Sequence, residues 1–305
     1  MNNNPGLKSI LKRINEDILS EIDRIGIHCR IHARIKDSDS LKEKVDRKGV
    51  GYYSKEGKKI QDICGFRITT YFIEDVKLLW DIFENKYEKV DEANDKITND
   101  NLAVFQPVHK NLICRMNSDD SQILAELTVL GDNENYTLID NTFEIQFRTT
   151  LSEGWHEIDH VLRYKCKSDW DEFIDQSRML NGIYATLETS DKALKALFDE
   201  LSYQHYKMHN WEAMLRTKFR LKFIKEQLDE SICTILNNSN DLAKDIFRAD
   251  REELLREIAL SKLYIPLSFN NIVYLINYLK LKDPDIEALQ PQTIKSDFET
   301  YLKAN

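Results

Sequence analysis

Two carboxylates and a set of alternating cations are the residues of this chain whose spacing can do chemistry. Phe143-Glu144-Ile145-Gln146-Phe147-Arg148-Thr149 alternates apolar and polar side chains, which puts Glu144, Gln146 and Arg148 on one face of a strand. Gln61-Asp62-Ile63-Cys64-Gly65-Phe66-Arg67-Ile68 opens an apolar strand with a carboxylate and then sets Arg67 inside it. A charge there needs a partner or a ligand, and an internal Asp–Arg pair meets that need as well as a substrate does. Asp62 and Glu144 on neighbouring strands would offer the hard oxygens that suit Mg²⁺. Arg34 and Lys36 stand two apart and share a strand face, and Ser40, Lys44 and Lys48 follow at helical spacing. Such cations can clamp a phosphate chain. They also make an ordinary solvated edge.

Further along, Trp155-His156-Glu157-Ile158-Asp159-His160 contains H-E-x-x-H. On a helix this spacing sets two histidines one turn apart to hold zinc, with Glu157 as base. A zinc hydrolase also needs a third ligand, and no histidine falls between His160 and His205. The same residues read as an amphipathic helix with Trp155, Ile158 and Leu162 inward.

These groups need elements to hold them. Ile10, Leu11, Ile14, Ile18 and Ile22 recur at helical spacing up to a stop at Gly26. Ile27–Ile35 alternates as a strand, and Ser38 or Ser40 can cap a helix carrying Leu41 and Val45. Ile63–Phe72 reads as a buried strand, and Asp75 as the cap of a helix with Val76, Leu79, Trp80 and Phe83. Val104–Met116, Ile123–Leu130 and Thr142–Thr149 are three more strands, with a polar loop over Asp91–Asn101. The expected fold class is therefore α+β, a mixed sheet of about five strands flanked by helices. Beyond Leu151 nearly everything reads as helix. Long runs cover Leu180–Leu201 and His209–Leu236, and Asn237-Asn238-Ser239-Asn240 is a break. The expected division is 1–170, a 171–236 extension of long helices, and a helical module over 237–305.

Bulk composition narrows the class. With 52 acidic against 43 basic residues the chain carries a net charge of -9, which repels nucleic acid and anionic membrane unless a local basic patch intervenes. Only 9 glycines and 5 prolines favour helices over a loop-rich all-β fold. The 5 cysteines are scattered without a C-x-x-C pair, and the first residues are polar, so reduced thiols and a cytoplasmic location are expected. No apolar run is long enough for a membrane span.

Taken in order, the pieces resemble the RelA/SpoT-type synthetase family. Its pattern runs R-x-K, S-x-x-x-K, D-x-x-G-x-R, a tyrosine loop ending in H, E-x-Q-x-R-T, and W-x-x-x-x-H-x-x-x-Y-K. The matching residues are Arg34 and Lys36; Ser40 and Lys44; Asp62, Gly65 and Arg67; His109; Glu144, Gln146, Arg148 and Thr149; and Trp155, His160, Tyr164 and Lys165. The resemblance covers Ile27 to Lys167. It implies a nucleotidyltransferase-like synthetase domain and transfer of pyrophosphate from ATP to a ribose 3′-hydroxyl, giving a (p)ppGpp-type alarmone. By the same resemblance Arg34 and Arg67 would sandwich the adenine, and Lys36, Ser40, Lys44 and Lys48 would serve the triphosphate. Asp62 and Glu144 would hold Mg²⁺, with Glu144 the candidate base. Phe105, His109, Gln146, Arg148, His160 and Lys165 would face the acceptor.

One stretch departs from that pattern. Where the family has a lysine and then G-Y-x-S-L-H, this chain has Asn99-Asp100-Asn101 and Val104-Phe105-Gln106-Pro107-Val108-His109. Phe105 keeps an aromatic face without the phenol, and Pro107 removes a backbone donor. The acceptor is therefore open: a guanine nucleotide, or another 3′-hydroxyl such as the 3′ end of tRNA, as in toxic relatives. Lys218, Lys222 and Lys225, beside Arg216 and Arg220, would form a basic helix stripe for RNA or a solvated face. A zinc hydrolase and an inactive binding module remain the other readings. The resemblance also implies a homo-oligomer and a stress or phage-defence role; no hydrolase segment is expected, because the chain is short and lacks an N-terminal H…HD metal pattern.

Overall fold

The computed structural model describes residues 4–49, 51–54, 57–90, 110–130 and 137–302. The chain forms two compact units. One comprises Met1–Leu19, Cys29–Tyr71 and Leu79–Glu188, the other Ser20–His28, Phe72–Leu78 and Thr189–Asn305.

The first unit is built on a sheet of β1 (Cys29–Ile35), β2 (Cys64–Thr70), β3 (Lys110–Arg115) and β4 (Thr142–Thr149), in the order β1-β2-β4-β3. β2 and β4 run parallel and the outer pairs antiparallel. The class is α+β as expected, but the sheet has four strands among the described residues, not about five. Ile123–Leu130 is the difference. It belongs to a helix, α4 (Ser118–Leu130), with Asp119 and Asp120 in its first turn. Asn117 accepts the Asp120 N–H through its side chain at 2.8 Å, satisfying a donor that a helix start leaves open.

Preceding the sheet, α1 (Pro5–Ile25) buries Leu7, Ile10, Ile14, Ile18, Ile22 and Ile25 as one stripe. It stops at Gly26, whose φ of 75° favours a residue without a Cβ. After β1 comes α2 (Ser38–Lys48), capped by Asp37 rather than by Ser38 or Ser40. α3 (Ile73–Lys86) follows β2 and begins before Asp75, so that residue is not its cap. One sheet face carries Cys64, Phe66 and Ile68 beside Phe143, Ile145 and Phe147, all buried. Phe66 meets Phe143 edge-on at 5.8 Å, and Trp80 lies 5.7 Å from Phe147.

Leaving β4, the chain enters α5 (Thr150–Ile158) through a capping box between Thr149 and Ser152. A π-helical turn, Asp159–Tyr164, follows directly. Next comes α6 (Ile174–Lys207), a 34-residue helix that includes the run expected over Leu180–Leu201.

The second unit is helical: α7 (Trp211–Phe219), α8 (Glu230–Asn238), α9 (Asn240–Arg248), α10 (Arg251–Ser261), α11 (Phe269–Ile276), α12 (Pro284–Leu289) and α13 (Gln292–Tyr301). The run expected to be one helix over His209–Leu236 is broken. Arg220 adopts φ 49°, a left-handed cap that ends α7, and residues up to Asp229 are not helical. Its guanidinium bonds Glu74 at 2.7 Å and Asp199 at 3.0 Å, which fixes the turn. In consequence Lys222 and Lys225 do not continue a stripe from Lys218. Arg216 is paired with Glu212 and Lys222 with Asp23, so the expected basic helix face is not formed. The break at Asn237–Asn240 falls between α8 and α9 as predicted. Asp75, fully buried, bonds Arg251 at 2.6 Å in this unit. No described helix is long and apolar enough to cross a membrane.

Candidate active site

Strand register assembles the site. Arg34, Gly65, Glu144 and Ile113 align in one row across the sheet, and His32, Arg67, Gln146 and Asn111 in the next. Aligned residues share a sheet face, so this face is polar where the opposite one is core. Gly65 leaves the first row open: a Cβ built there meets nothing within 4 Å. Above it lies a pocket of about 370 Å³.

Ten of the residues expected to serve ATP, metal or acceptor line this pocket: Arg34, Lys36, Ser40, Lys44, Asp62, Arg67, Glu144, Gln146, His160 and Lys165. Lys48 does not; its ammonium sits 5.3 Å from the Tyr52 ring, at the far end of α2. Arg148 shares the face of Glu144 but is buried outside the pocket lining, donating to the Phe147 carbonyl at 2.9 Å. Phe105 and His109 lie outside the described residues.

The cations and carboxylates are interlocked. Asp62 pairs with Lys36 through one oxygen and with Lys44 through the other, the latter at 2.9 Å. Burial pushes the Asp62 carboxyl up, but the two lysines outweigh it and hold it below the ordinary aspartate value. Burial likewise pulls the Lys36 ammonium down, and Asp62 only partly offsets this. Glu144 accepts from Asn111 at 3.0 Å and from Gln146 at 2.8 Å. Burial, and then the Asp62 charge, raise its carboxyl above the ordinary glutamate value. Among the described residues the Arg34 side chain makes no ion pair or hydrogen bond, and the residue is exposed and lines the pocket. Ser40 donates its hydroxyl to the capping Asp37 at 2.8 Å.

Beyond β4, Trp155 anchors α5. Its indole donates to the Leu180 carbonyl at 2.8 Å, and its ring lies 4.8 Å from Tyr184. His156 is buried against the same two rings. His160 instead lines the pocket, its ring parallel to Tyr164. A π-turn has more residues per turn than an α-helix, so its onset at Asp159 breaks the simple one-turn relation between the two histidines. The expected inward face over Trp155, Ile158 and Leu162 is not formed: Trp155 is buried, but Ile158 and Leu162 are exposed. Among the described residues no group of three or more His, Cys, Asp or Glu is placed to hold a metal ion.

Several pocket residues escaped the sequence reading. His32 lies two before Arg34, so period two would have found it. Asn111 carries no charge to draw notice. Arg47 lies three after Lys44 and turns to the Tyr164 ring at 5.1 Å. Glu43 faces Lys165 at 3.6 Å, so α2 and the π-turn meet beside the pocket.

Residues 33–169 match the family model described as the region found in RelA / SpoT proteins. The GTP pyrophosphokinase YjbM of Bacillus subtilis (strain 168) is 28% identical over 136 residues, which is 44% of this chain and 56% of that protein. The match thus spans little more than half of that relative's length. Among solved structures, a GTP pyrophosphokinase family protein from Streptococcus pneumoniae is 23% identical, with 64% of this chain and 90% of that chain covered and a TM-score of 0.43. The small alarmone synthetase 1 of Bacillus subtilis, bound to its product pppGpp, is 21% identical, with 65% and 94% covered and a TM-score of 0.44.

Proposed function

We propose that the chain is an ATP-dependent pyrophosphokinase that makes a (p)ppGpp-type alarmone. In this reaction the acceptor 3′-oxygen attacks the β-phosphorus of ATP, the bond from the β-phosphorus to the α,β-bridging oxygen breaks, and AMP leaves. The acceptor then carries a 3′-diphosphate. The observation that carries the reading is the convergence of Asp62 and Glu144 with Arg34, Lys36, Lys44 and Arg67 on one pocket. Phosphoryl-type transfer needs positioning and charge neutralisation more than covalent chemistry, and this inventory supplies both.

Arg34 and Arg67 offer flat cations for the adenine. Lys36 and Lys44 exchange the Asp62 carboxylate for phosphate oxygens when the nucleotide enters. Glu144, its proton affinity raised by burial, takes the proton of the attacking hydroxyl. Gln146 and Asn111 hold its two oxygens. The residues fit Mg²⁺: two carboxylates repel one another across the pocket, and this ion is held by one or two carboxylates together with phosphates and waters. Asp62 and Glu144 would hold it, and it would neutralise charge on the transferring phosphates.

For the acceptor, the family match and the pyrophosphokinase relative support a guanine nucleotide. Incubation with γ-labelled ATP and GDP or GTP tests this, with tRNA as a separate arm. Label in a guanosine 3′-diphosphate species supports the reading. Label in tRNA alone would move the acceptor, and no transfer to any 3′-hydroxyl would overturn the activity.

A further inference from the structure

Glu153 and Glu157 stand four residues apart on α5 and so share one face of that helix. This face is turned to Arg67 of β2. Arg67 donates from Nη1 to Glu153 at 2.5 Å and to Glu157, and from Nε to Gln146 at 3.2 Å. We infer that Glu153 and Glu157 are a positioning clamp that fixes the Arg67 guanidinium plane as a stacking surface for the nucleobase of the donor. The inference rests on the pyrophosphokinase reading of the same pocket.

The geometry of guanidinium carries the argument. All its N–H bonds lie in the plane of the group, so every hydrogen bond it donates is made at an edge. Partners at Nη1 and Nε therefore hold the plane without covering either face. A stacked base needs a free face, and it gains most when that face is already fixed, because a long side chain then loses less freedom on binding. Arg67 is about one-fifth exposed, enough to present a face to the pocket that it lines.

The clamp itself is rigidly mounted. The Thr149–Ser152 capping box fixes the start of α5, and Trp155 ties its middle to the Leu180 carbonyl. Glu157 is held ionised: the cost of burial is outweighed by the hydrogen bond and charge of Arg67, which keep its carboxyl below the ordinary glutamate value. The network continues inward, since Gln146 accepts from Arg67 and donates to Glu144. This gives the H-E-x-x-H segment a different task from holding zinc. His156 packs on Trp155 and Tyr184, His160 lines the pocket wall, and Glu157 grips an arginine instead of activating water.

The test uses the full chain and the variants Glu153→Gln, Glu157→Gln, their double, and Arg67→Ala alone and combined with the double. Equilibrium binding of a non-hydrolysable ATP analogue is measured first, then ATP KM and kcat. The double variant is expected to weaken analogue binding and raise ATP KM by about tenfold, the scale of one charged hydrogen bond. Its kcat and acceptor KM should stay within about twofold, and its melting curve should be retained. On the Arg67→Ala background the two Gln substitutions should add nothing, which a general structural role would not produce. Unchanged analogue affinity in the folded double variant overturns the clamp, as does a fall in kcat at constant KM, or a wild-type chain that does not bind the analogue. Analogue binding that depends on the clamp, without any transfer, would overturn the pyrophosphokinase reading and leave the clamp standing.

Discussion

Lys44 holds its ammonium 2.9 Å from one oxygen of Asp62, while Lys36 takes the other. The carboxylate thus holds together the two cations that the proposed function assigns to the phosphates of ATP. All three side chains are only about one-fifth exposed, a setting where charges count for more than they do in water.

From this arrangement, Asp62→Asn should lower kcat about a hundredfold, the scale of removing one group that stabilises developing charge. Lys44 would lose its ionic partner but not its access to phosphate, so the affinity for the ATP analogue should change little. Steady-state kinetics beside calorimetric binding checks both halves. A retained kcat would remove Asp62 from the chemistry.

Gly65 supplies a second prediction. Its absent side chain opens the row between Arg34 and Glu144, and an added Cβ touches no protein atom. Gly65→Val should therefore fold normally, since valine suits a strand, yet fill the pocket and abolish analogue binding. Thermal melting paired with calorimetry separates the two effects. Normal binding by the folded variant would show that the nucleotide does not cross this row.

In the helical unit, Arg251 and Asp75 form a buried pair, with Arg251 also donating to the Phe219 carbonyl. Removing one member leaves the other charge without its partner. Arg251→Ala should cost about 3–5 kcal/mol, and the joint change to Asp75→Asn and Arg251→Met should recover part of it. Urea denaturation reads the difference. A single variant as stable as the parent would contradict the account.

Thiol chemistry tests the core. Burial pushes the Cys64 and Cys114 thiols up to about 12, on the strands beneath the site. Alkylation of the native chain at neutral pH should spare both, and denaturant should expose them. Rapid native labelling at either position, found by peptide mass mapping, would mean the sheet is not packed as described.

Much of this was legible in the sequence, and the failures have physical causes. Alternation in Phe143–Thr149 placed Glu144 and Gln146 on one face, because period two leaves a strand little choice. Ile123–Leu130 looked like a strand because its apolar residues are crowded. The better signal was upstream, in Asn117 and the acidic residues after Ser118, which start a helix. The end of α7 carried no glycine or proline. Arg220 turns there because of Glu74 and Asp199, partners distant in sequence. Likewise Arg67 could be marked as a charge in need of company, but Glu153 and Glu157 lie too far along the chain for spacing to name them. The π-turn after Ile158, which sends His156 and His160 to different surroundings, had no local sign at all.

The central claim is transfer of an intact pyrophosphate group by the pocket that Asp62 and Glu144 share. Its most direct measurement is the stoichiometry of nucleotide products from ATP and GDP or GTP, by ion-exchange chromatography, for the parent chain and for Glu144→Gln. The account predicts AMP and a guanosine 3′-diphosphate product in equal amounts, both lost in the variant while the ATP analogue still binds. Formation of ADP and phosphate instead, or undiminished AMP release by Glu144→Gln, would contradict it.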